Sequence, residues 1–536
     1  MKRLNLFILG IATTAVLFGC GSSAAILSTP IENIDNTPLK YTELTENESK
    51  NWMHLDLVKD TIPGMSVNKA YNEVIKNKKG QTVIVAVIDA GIDTKHEDLD
   101  DVIWVNKKEI PNNNKDDDNN GYVDDIHGWN FLGDTYDEQL EYVRILASGN
   151  KNNPRYAEAQ AEYNKEYQEY RGLKAQYDQI VQQIETSHKA VAKHLKKENY
   201  TKEEVFAIKT TDQALLRDVS VIQQTYGFGI GSVKETIDAI KSDLKNINER
   251  LNVHLNKNLK GRKTGDDPND FSQTVYGNNN VNPAKKEELH GTHVAGVIAA
   301  ERNNGKGMNG VANNVKIMAL RAVPNGDEYD KDVALAIRYA VDNGAKIING
   351  SFGKYYSPHS DKVQEAIKYA SKNDVLFVSS SGNDALNVDK KPSFPNDQKN
   401  DSEIVDTFIS VGAINSKYGS NLVASFSNYG KKNVDVFAPG YQIYSPKPNN
   451  EYDFIDGTSF SAPAVSGVAA LIRSYYPKLT ATQVKQIIMD SGLQLPAKVT
   501  VPGSENSVKS FGELSKSSKL VNAYNALIMA SKISSN

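Results

Sequence analysis

Asp89, His290 and Ser459 are an acid, a base and a hydroxyl, each in a setting suited to a nucleophilic relay. Asp89 ends a β-branched run over 81–89, just before Ala90-Gly91, so the sequence puts a carboxylate at the end of a strand. His290 opens His290-Gly291-Thr292-His293-Val294-Ala295-Gly296 and an apolar run through Val297, Ile298 and Ala300, a helix small enough in its side chains for deep burial. Ser459 lies in Gly457-Thr458-Ser459-Phe460-Ser461-Ala462-Pro463, and a second small-residue helix is expected over 464–472. A serine hydroxyl is a poor nucleophile near neutral pH and needs an imidazole to take its proton. The imidazole in turn needs a carboxylate on its other nitrogen, to fix its tautomer and stabilise the imidazolium. A tetrahedral oxyanion requires donors, and Asn383, after a β-run and Gly382, offers an amide to join the Ser459 backbone N–H. Taken singly, each residue has a structural explanation as a turn, a cap or a core polar group. In combination they carry chemistry. His293 is expected to be structural and to face away from Ser459.

The elements that must hold these groups are legible as alternating periods. Short β-branched runs recur at 81–89, 316–320, 345–348, 375–378 and 408–412. Between them, Val333, Ile337, Ala340 and Val341 mark an amphipathic helix over 332–343 stopped by Gly344, and Val363, Ile367 and Ala370 mark another. Alternation of strand and helix predicts right-handed crossovers and a doubly wound α/β sheet. The texture changes over 156–258. Tyr163, Tyr167, Tyr170, Lys174, Tyr177, Val181, Ile184, His188, Val191 and Leu195 alternate four- and three-residue spacings, as do Val233, Ile237, Ile240, Leu244, Ile247 and Leu251. These seams predict a helical hairpin whose first arm spans roughly 50 Å at ~1.5 Å per residue. Thr201 with Glu204, and Ser232 with Glu235, fit capping boxes.

The three boxes, in the order Asp, His, Ser, resemble the signature segments of the subtilase family, whose chain order is that of subtilisin itself. The resemblance covers about 62–131 and 276–530, and extends to Asn349-Gly350-Ser351-Phe352-Gly353, Ser379-Ser380-Ser381-Gly382-Asn383 and Asp435-Val436-Phe437-Ala438-Pro439-Gly440. It implies a subtilisin-like doubly wound, mainly parallel sheet with helices on both faces, plus the inserted helical hairpin. It further implies a serine endopeptidase acting through an acyl-enzyme, on protein or peptide substrates, with no cofactor for the chemistry. On the same resemblance, Ser351, Phe352 and Gly353 supply one edge for an extended peptide. Ser380, Ser381 and Gly382 line the pocket for the side chain before the scissile bond, whose small neutral walls suit an apolar or aromatic group. Two residues depart from the pattern. Ala90 stands where the family usually has a hydroxyl beside the aspartate, and Phe460 replaces a methionine beside the nucleophile, removing an oxidation liability.

Asp116, Asp118, Asn120 and Asp124 surround Gly121 like the first nine positions of a calcium loop, so a structural calcium is expected there. His127 stands where such a loop would place its last acid, which argues against an EF-hand. At the start of the chain, Lys2 and Arg3 precede an apolar run over 4–18 and then Gly19-Cys20, a signal segment whose end resembles a lipoprotein cleavage box. Cys20 is the sole cysteine, so no internal disulfide can form and lipidation is its expected role. The expected division is a signal peptide over 1–19, a tether and lead-in over 20–60, a first catalytic part over 61–150, the insertion over 151–262 and a second catalytic part over 263–536. No removable propeptide domain is expected. The protein should sit outside the cytoplasm, anchored by lipid to the bacterial envelope at the outer membrane or cell surface, with the insertion offering a face to a protein partner. With 62 basic against 66 acidic residues, nothing invites nucleic acid. The rival reading is a weak or inactive subtilase serving as an envelope binding or scaffold lipoprotein, supported by Ala90 and the large insertion.

Overall fold

Nine strands form one sheet in the computed structural model, which describes residues 28–32, 34, 40, 42–228, 231–504 and 506–535. In chain order they are β1 (Val83–Asp89), β2 (Gly128–Asn130), β3 (Val315–Arg321), β4 (Ile347–Gly350), β5 (Leu376–Ser380), β6 (Phe408–Ile414), β7 (Val436–Pro439), β8 (Leu493–Gln494) and β9 (Lys519–Leu520). Their spatial order is β8-β9-β7-β6-β5-β4-β1-β3-β2. All neighbours are parallel except β8 and β9. Such a sheet must be covered on both faces, and the strand residues divide accordingly. Val83, Val85 and Val87 of β1 face one core with Val315, Ile317 and Ala319 of β3. Ala86, Ile88, Met318 and Leu320 face the other. The period of two explains why the expected runs read as unbroken apolar segments. The short strands β2, β8 and β9 have too few residues to announce themselves in that way.

The helices fall on the two faces by the same logic. On one side lie α5 (His290–Ala299) and α8 (Thr458–Tyr475), both buried almost all round. On the other lie α6 (Asp330–Asp342) and α7 (Ser360–Lys372), whose apolar stripes meet the second core. The packed body begins earlier than the boundary expected at residue 61: Trp52, Met53 and Leu57 are core residues. Even Ile31 is tied down, exchanging backbone hydrogen bonds with the Asn525 side chain at 2.8 and 2.9 Å. Cys20 lies outside the described residues. Among them, no helix is long and apolar enough to cross a membrane.

The insertion is helical, as the seams predict, but it contains more than a hairpin. After α1 (Glu141–Ala147) comes α2 (Tyr156–Leu195), 40 residues and so about 60 Å long. A short helix, Lys202–Phe206, leads to α3 (Gln213–Thr225) and the returning α4 (Val233–Glu249). Every position of the first seam is buried or half-buried, whereas most residues between the seam positions are exposed. The arm has two separate small cores. The far one gathers Ile184, Val191, Val205, Val219, Ile222 and Ile237. The near one joins Ala159 and Leu255 to Tyr142, Val143, Leu146 and Tyr356 of the main body. Thr201 and Glu204 form the reciprocal capping box. At the second expected box, only Ser232 caps, accepting from Glu235 N–H at 3.1 Å.

Candidate active site

Asp89 ends β1, Ser351 follows β4 directly and Asn383 lies three residues beyond β5. Because β5, β4 and β1 are neighbours, these residues come side by side at the carboxyl edge of the sheet, where open α/β sheets hold their ligands. His290, at the start of α5, is brought in from one face. A Cβ on Gly291 would lie 2.7 Å from the Gly91 carbonyl oxygen and 2.8 Å from that of Ala90, so only glycine lets this helix press so closely on the turn after β1. Behind it, Glu288, just before α5, accepts from Gly91 N–H in the turn after β1 and forms a buried ion pair with Arg321 at the end of β3. Such a pair fixes geometry more than it adds stability.

The resulting contact is the one the chemistry needs. His290 Nδ1 lies 2.7 Å from Asp89 Oδ1, which also accepts from Ala90 N–H at 2.7 Å. Burial would lower the His290 pKa, but the Asp89 charge and hydrogen bond outweigh it, so the imidazole sits above its ordinary 6.5. Asp89 Oδ2 is buried without a hydrogen-bond partner among the described residues, as expected from Ala90 in place of a hydroxyl. Ser459 occupies the first turn of α8, where backbone N–H groups have no acceptor within the helix and the helix dipole favours negative charge. Its hydroxyl donates to the Ser351 carbonyl at 3.2 Å, and the Ser351 hydroxyl donates to the Ser459 carbonyl at 2.7 Å. Asn383 Oδ1 accepts from both the N–H and the hydroxyl of Thr458, at 2.9 and 2.8 Å. With its oxygen so occupied, the amide has its Nδ2 donor left for a ligand. Thr458 is a positioning residue that sequence reasoning missed, although it stands next to the nucleophile.

These groups line one cleft of about 370 Å³, together with Ser351, Phe352, Gly353, Ser380, Ser381 and Gly382. The inferred substrate residues differ in what they expose. Gly353 is open, while the Ser351 and Phe352 side chains are buried, so any edge there is backbone. The Ser381 hydroxyl turns inward to the Asn428 carbonyl at 3.2 Å, leaving Ser380 and Gly382 nearer the surface. Beyond the small residues 380–382, the cleft as a whole also carries acidic groups, Asp327, Glu328 and Asp384. Burial raises Glu328 to about 7, against the pull of Lys354. His293 faces away as expected, fully buried with Nε2 3.2 Å from the Asp453 carbonyl, and burial pushes its pKa down to about 3. Phe460 packs edge-on to it at 4.3 Å.

The acidic loop brings together only part of the expected metal set. Asp116 and Asp118 converge with Glu109, their carboxylate oxygens within 4.8 Å of one another. Asp124 is outside that cluster and accepts from the N–H groups of Asn113 and Asn114, while the Asn120 amide donates to Asp125 at 2.9 Å. Asp124 has φ +53°, in the left-handed region. Glu109, seven residues before Asp116, could not be found from loop spacing.

The chain is 40% identical over 186 residues to the thermophilic serine proteinase of Bacillus sp. (strain AK1), covering 34% of this chain and 42% of that protein. It is 36% identical over 245 residues to the cell wall-associated protease of Bacillus subtilis (strain 168), covering 46% and 25%. With subtilisin DY of Bacillus licheniformis it shares 34% over 208 residues, covering 38% and 71%. The chain thus spans less than half the length of the first two. Among solved structures, a protease from Pseudoalteromonas arctica aligns at 30% identity with a TM-score of 0.36, covering 45% of this chain and 70% of that one. The subtilase family model matches residues 80–512, a stretch that takes in Asp89, His290, Asn383 and Ser459, and the chain belongs to that family.

Proposed function

We propose that the protein is a serine endopeptidase in which Ser459 is the nucleophile, His290 the general base and acid, Asp89 the orienting carboxylate and Asn383 an oxyanion donor. One observation carries this reading: a 2.7 Å Asp89–His290 contact opening on the same cleft as a serine at a helix N-terminus. Ser459 Oγ attacks the peptide carbonyl as His290 Nε2 takes its proton, and the oxyanion is met by Ser459 N–H and Asn383 Nδ2. His290 then protonates the departing amine as the C–N bond breaks, leaving an ester on Ser459. Water, deprotonated by His290, hydrolyses that ester. To present its lone pair, Nε2 must be bare, which the Nδ1–H donation to Asp89 secures. For this relay the Ser459 hydroxyl must leave the Ser351 carbonyl, to which it donates at 3.2 Å, and turn toward the imidazole.

The partnerless Asp89 Oδ2 favours a second reading, a weak or inactive subtilase that binds proteins at the envelope. A fluorophosphonate probe separates the two. Covalent labelling of the wild type but not of Ser459→Ala supports the enzyme; folded wild type that stays unlabelled supports the scaffold.

Lipidation at Cys20, and with it anchorage to the bacterial envelope, belongs to the same proposal and rests on the sequence around that cysteine. Mass spectrometry of the mature protein should find an acylated N-terminal Cys20; an unmodified start further along rejects it. The loop carboxylates of Glu109, Asp116 and Asp118 are hard donors that suit a structural Ca²⁺. A cation bound to the folded state alone raises the melting temperature by mass action, so equal melting in excess calcium and in chelator removes the metal.

A further inference from the structure

Two consecutive tyrosines just past the substrate edge connect the inserted arm to the loop that carries Asn383. From the arm side, the Arg155 guanidinium donates to the Tyr355 carbonyl at 2.5 Å and stacks 3.8 Å above the Tyr356 ring. Glu162, two turns along α2, accepts from the Tyr356 hydroxyl at 2.7 Å. Tyr356 itself is 1% exposed, clamped in the core at the arm's base. The pair is therefore held by Arg155, just before α2, and by Glu162 within it.

From the cleft side, the Tyr355 hydroxyl is held at both valences. It accepts from Asn428 Nδ2 at 3.0 Å and donates to the Asp384 carboxylate. Asn428 is fully buried and clasps the whole turn: its Nδ2 also reaches the Ser381 carbonyl at 2.8 Å, and its Oδ1 accepts from the N–H groups of Asp384 and Leu386 at 3.2 and 2.8 Å. Its own N–H donates to the Gly382 carbonyl at 2.9 Å. Asn383 lies at the centre of this clasp. Burial holds the Tyr355 hydroxyl above its ordinary value of 10, so it remains a proton donor at any working pH.

From this chain of contacts we infer that Tyr355 is a positioning residue for the oxyanion donor, and that through it the base of the arm sets turnover. The inference rests on the reading of Asn383 given above. An oxyanion donor is worth most when it is fixed before the charge develops, so a brace on its loop acts on the transition state more than on substrate binding.

The test is a double-mutant cycle between Tyr355→Phe and Asn383→Ala, with kcat and KM measured on a small peptide substrate and folding checked by melting temperature. Tyr355→Phe, which removes both hydrogen bonds of that hydroxyl, should lower kcat on the order of three- to tenfold, with KM nearly unchanged. In the Asn383→Ala background the same change should cost almost nothing, because the donor it positions is already gone. Arg155→Ala, which leaves the cleft chemistry untouched, should show a smaller loss of kcat with the same dependence on Asn383. An unchanged kcat in Tyr355→Phe, or a penalty that persists in full beside Asn383→Ala, overturns the inference alone. Wild-type turnover by Asn383→Ala removes the oxyanion reading and the inference with it.

Discussion

The helix that begins with the nucleophile and the helix that leads the insertion are built from opposite materials. Of the 18 residues of α8, all but Ser459 and Tyr475 are buried, most of them Ala, Val, Gly or Ser. Of the 40 residues of α2, only Ala159, Val181, Ile184, Ser187 and Val191 are buried. A helix enclosed on every side is built mainly of small side chains, and close packing leaves its ends little room to shift. A helix that buries one stripe is placed by that stripe alone, supplemented by exposed ion pairs such as Lys174–Asp178 that contribute little. Catalytic geometry belongs with the first kind. The second suits reach, with its own small core at the tip and a second at the base.

The contrast is sharpest for single groups at the edge of the sheet. Asn383→Ala should reduce turnover by about 10²–10³ while leaving the fold intact, the cost known for the corresponding change in subtilisin itself. Measurement of kcat beside the melting temperature checks both halves. Next in size is Gly291→Ala, whose new Cβ meets the backbone carbonyls of Ala90 and Gly91. Overpacking of this kind costs about 1–3 kcal/mol, and here it must also lengthen the His290–Asp89 contact. Lower melting together with slower fluorophosphonate labelling is expected; an unchanged labelling rate would show that the tight approach is not what aligns the imidazole.

The arm should behave in the opposite way when it is cut at different places. Replacing 153–260 by a flexible linker strips Ala159 and Leu255 from Tyr356, so hydrolysis of small peptides should fall several-fold. A shorter deletion, 174–241, closed by a turn, keeps Arg155, Glu162 and the basal core. Small-peptide hydrolysis should then survive while cleavage of folded proteins changes. Equal losses from the two deletions would erase the distinction between base and tip.

Much of the catalytic edge is legible in the sequence because each part is local. Asp89 follows its strand directly, His290 and Ser459 open helices of conspicuous small residues, and Asn383 comes just past an apolar run. The groups that hold these residues are not local. Thr458 aligns Asn383 across 75 positions, and Tyr355 meets Asn428 across 73. Glu109 joins the acidic loop from outside any motif, and Asp327, Glu328 and Asp384 change the character of the cleft from two different turns. For the arm, spacing reveals the stripe of α2 and α4 but not α3, whose apolar positions close a core that exists only after the chain has folded back.

A smaller effect tests the edge where it departs from its relatives. With His290 raised above 6.5, the base is protonated and idle below that value, so kcat/KM should fall with decreasing pH through a midpoint above 6.5. Ala90→Ser offers a hydroxyl to the partnerless Asp89 Oδ2. A donor there shares the carboxylate charge and weakens its hold on the imidazolium, so the midpoint should move down toward 6.5. A midpoint that stays in place means the serine does not reach that oxygen.

The mildest change lies in the arm and has the opposite sign to its counterpart in the core. Gly172 sits in the middle of α2, is exposed, and has nothing within 4 Å of where a Cβ would stand. Glycine in a helix interior gives the unfolded chain freedom that must be surrendered on folding, and alanine at such a site is worth about 0.5–1 kcal/mol. Gly172→Ala should therefore stabilise the arm, and Gly291→Ala should destabilise the body, although the substitution is the same. Because the arm's two cores are separate, the gain should appear as slower amide exchange along α2, with turnover of small peptides unchanged. A loss of stability at Gly172 would mean that the exposed stretch of α2 is not a free-standing helix but is held against something that leaves no room for a methyl group.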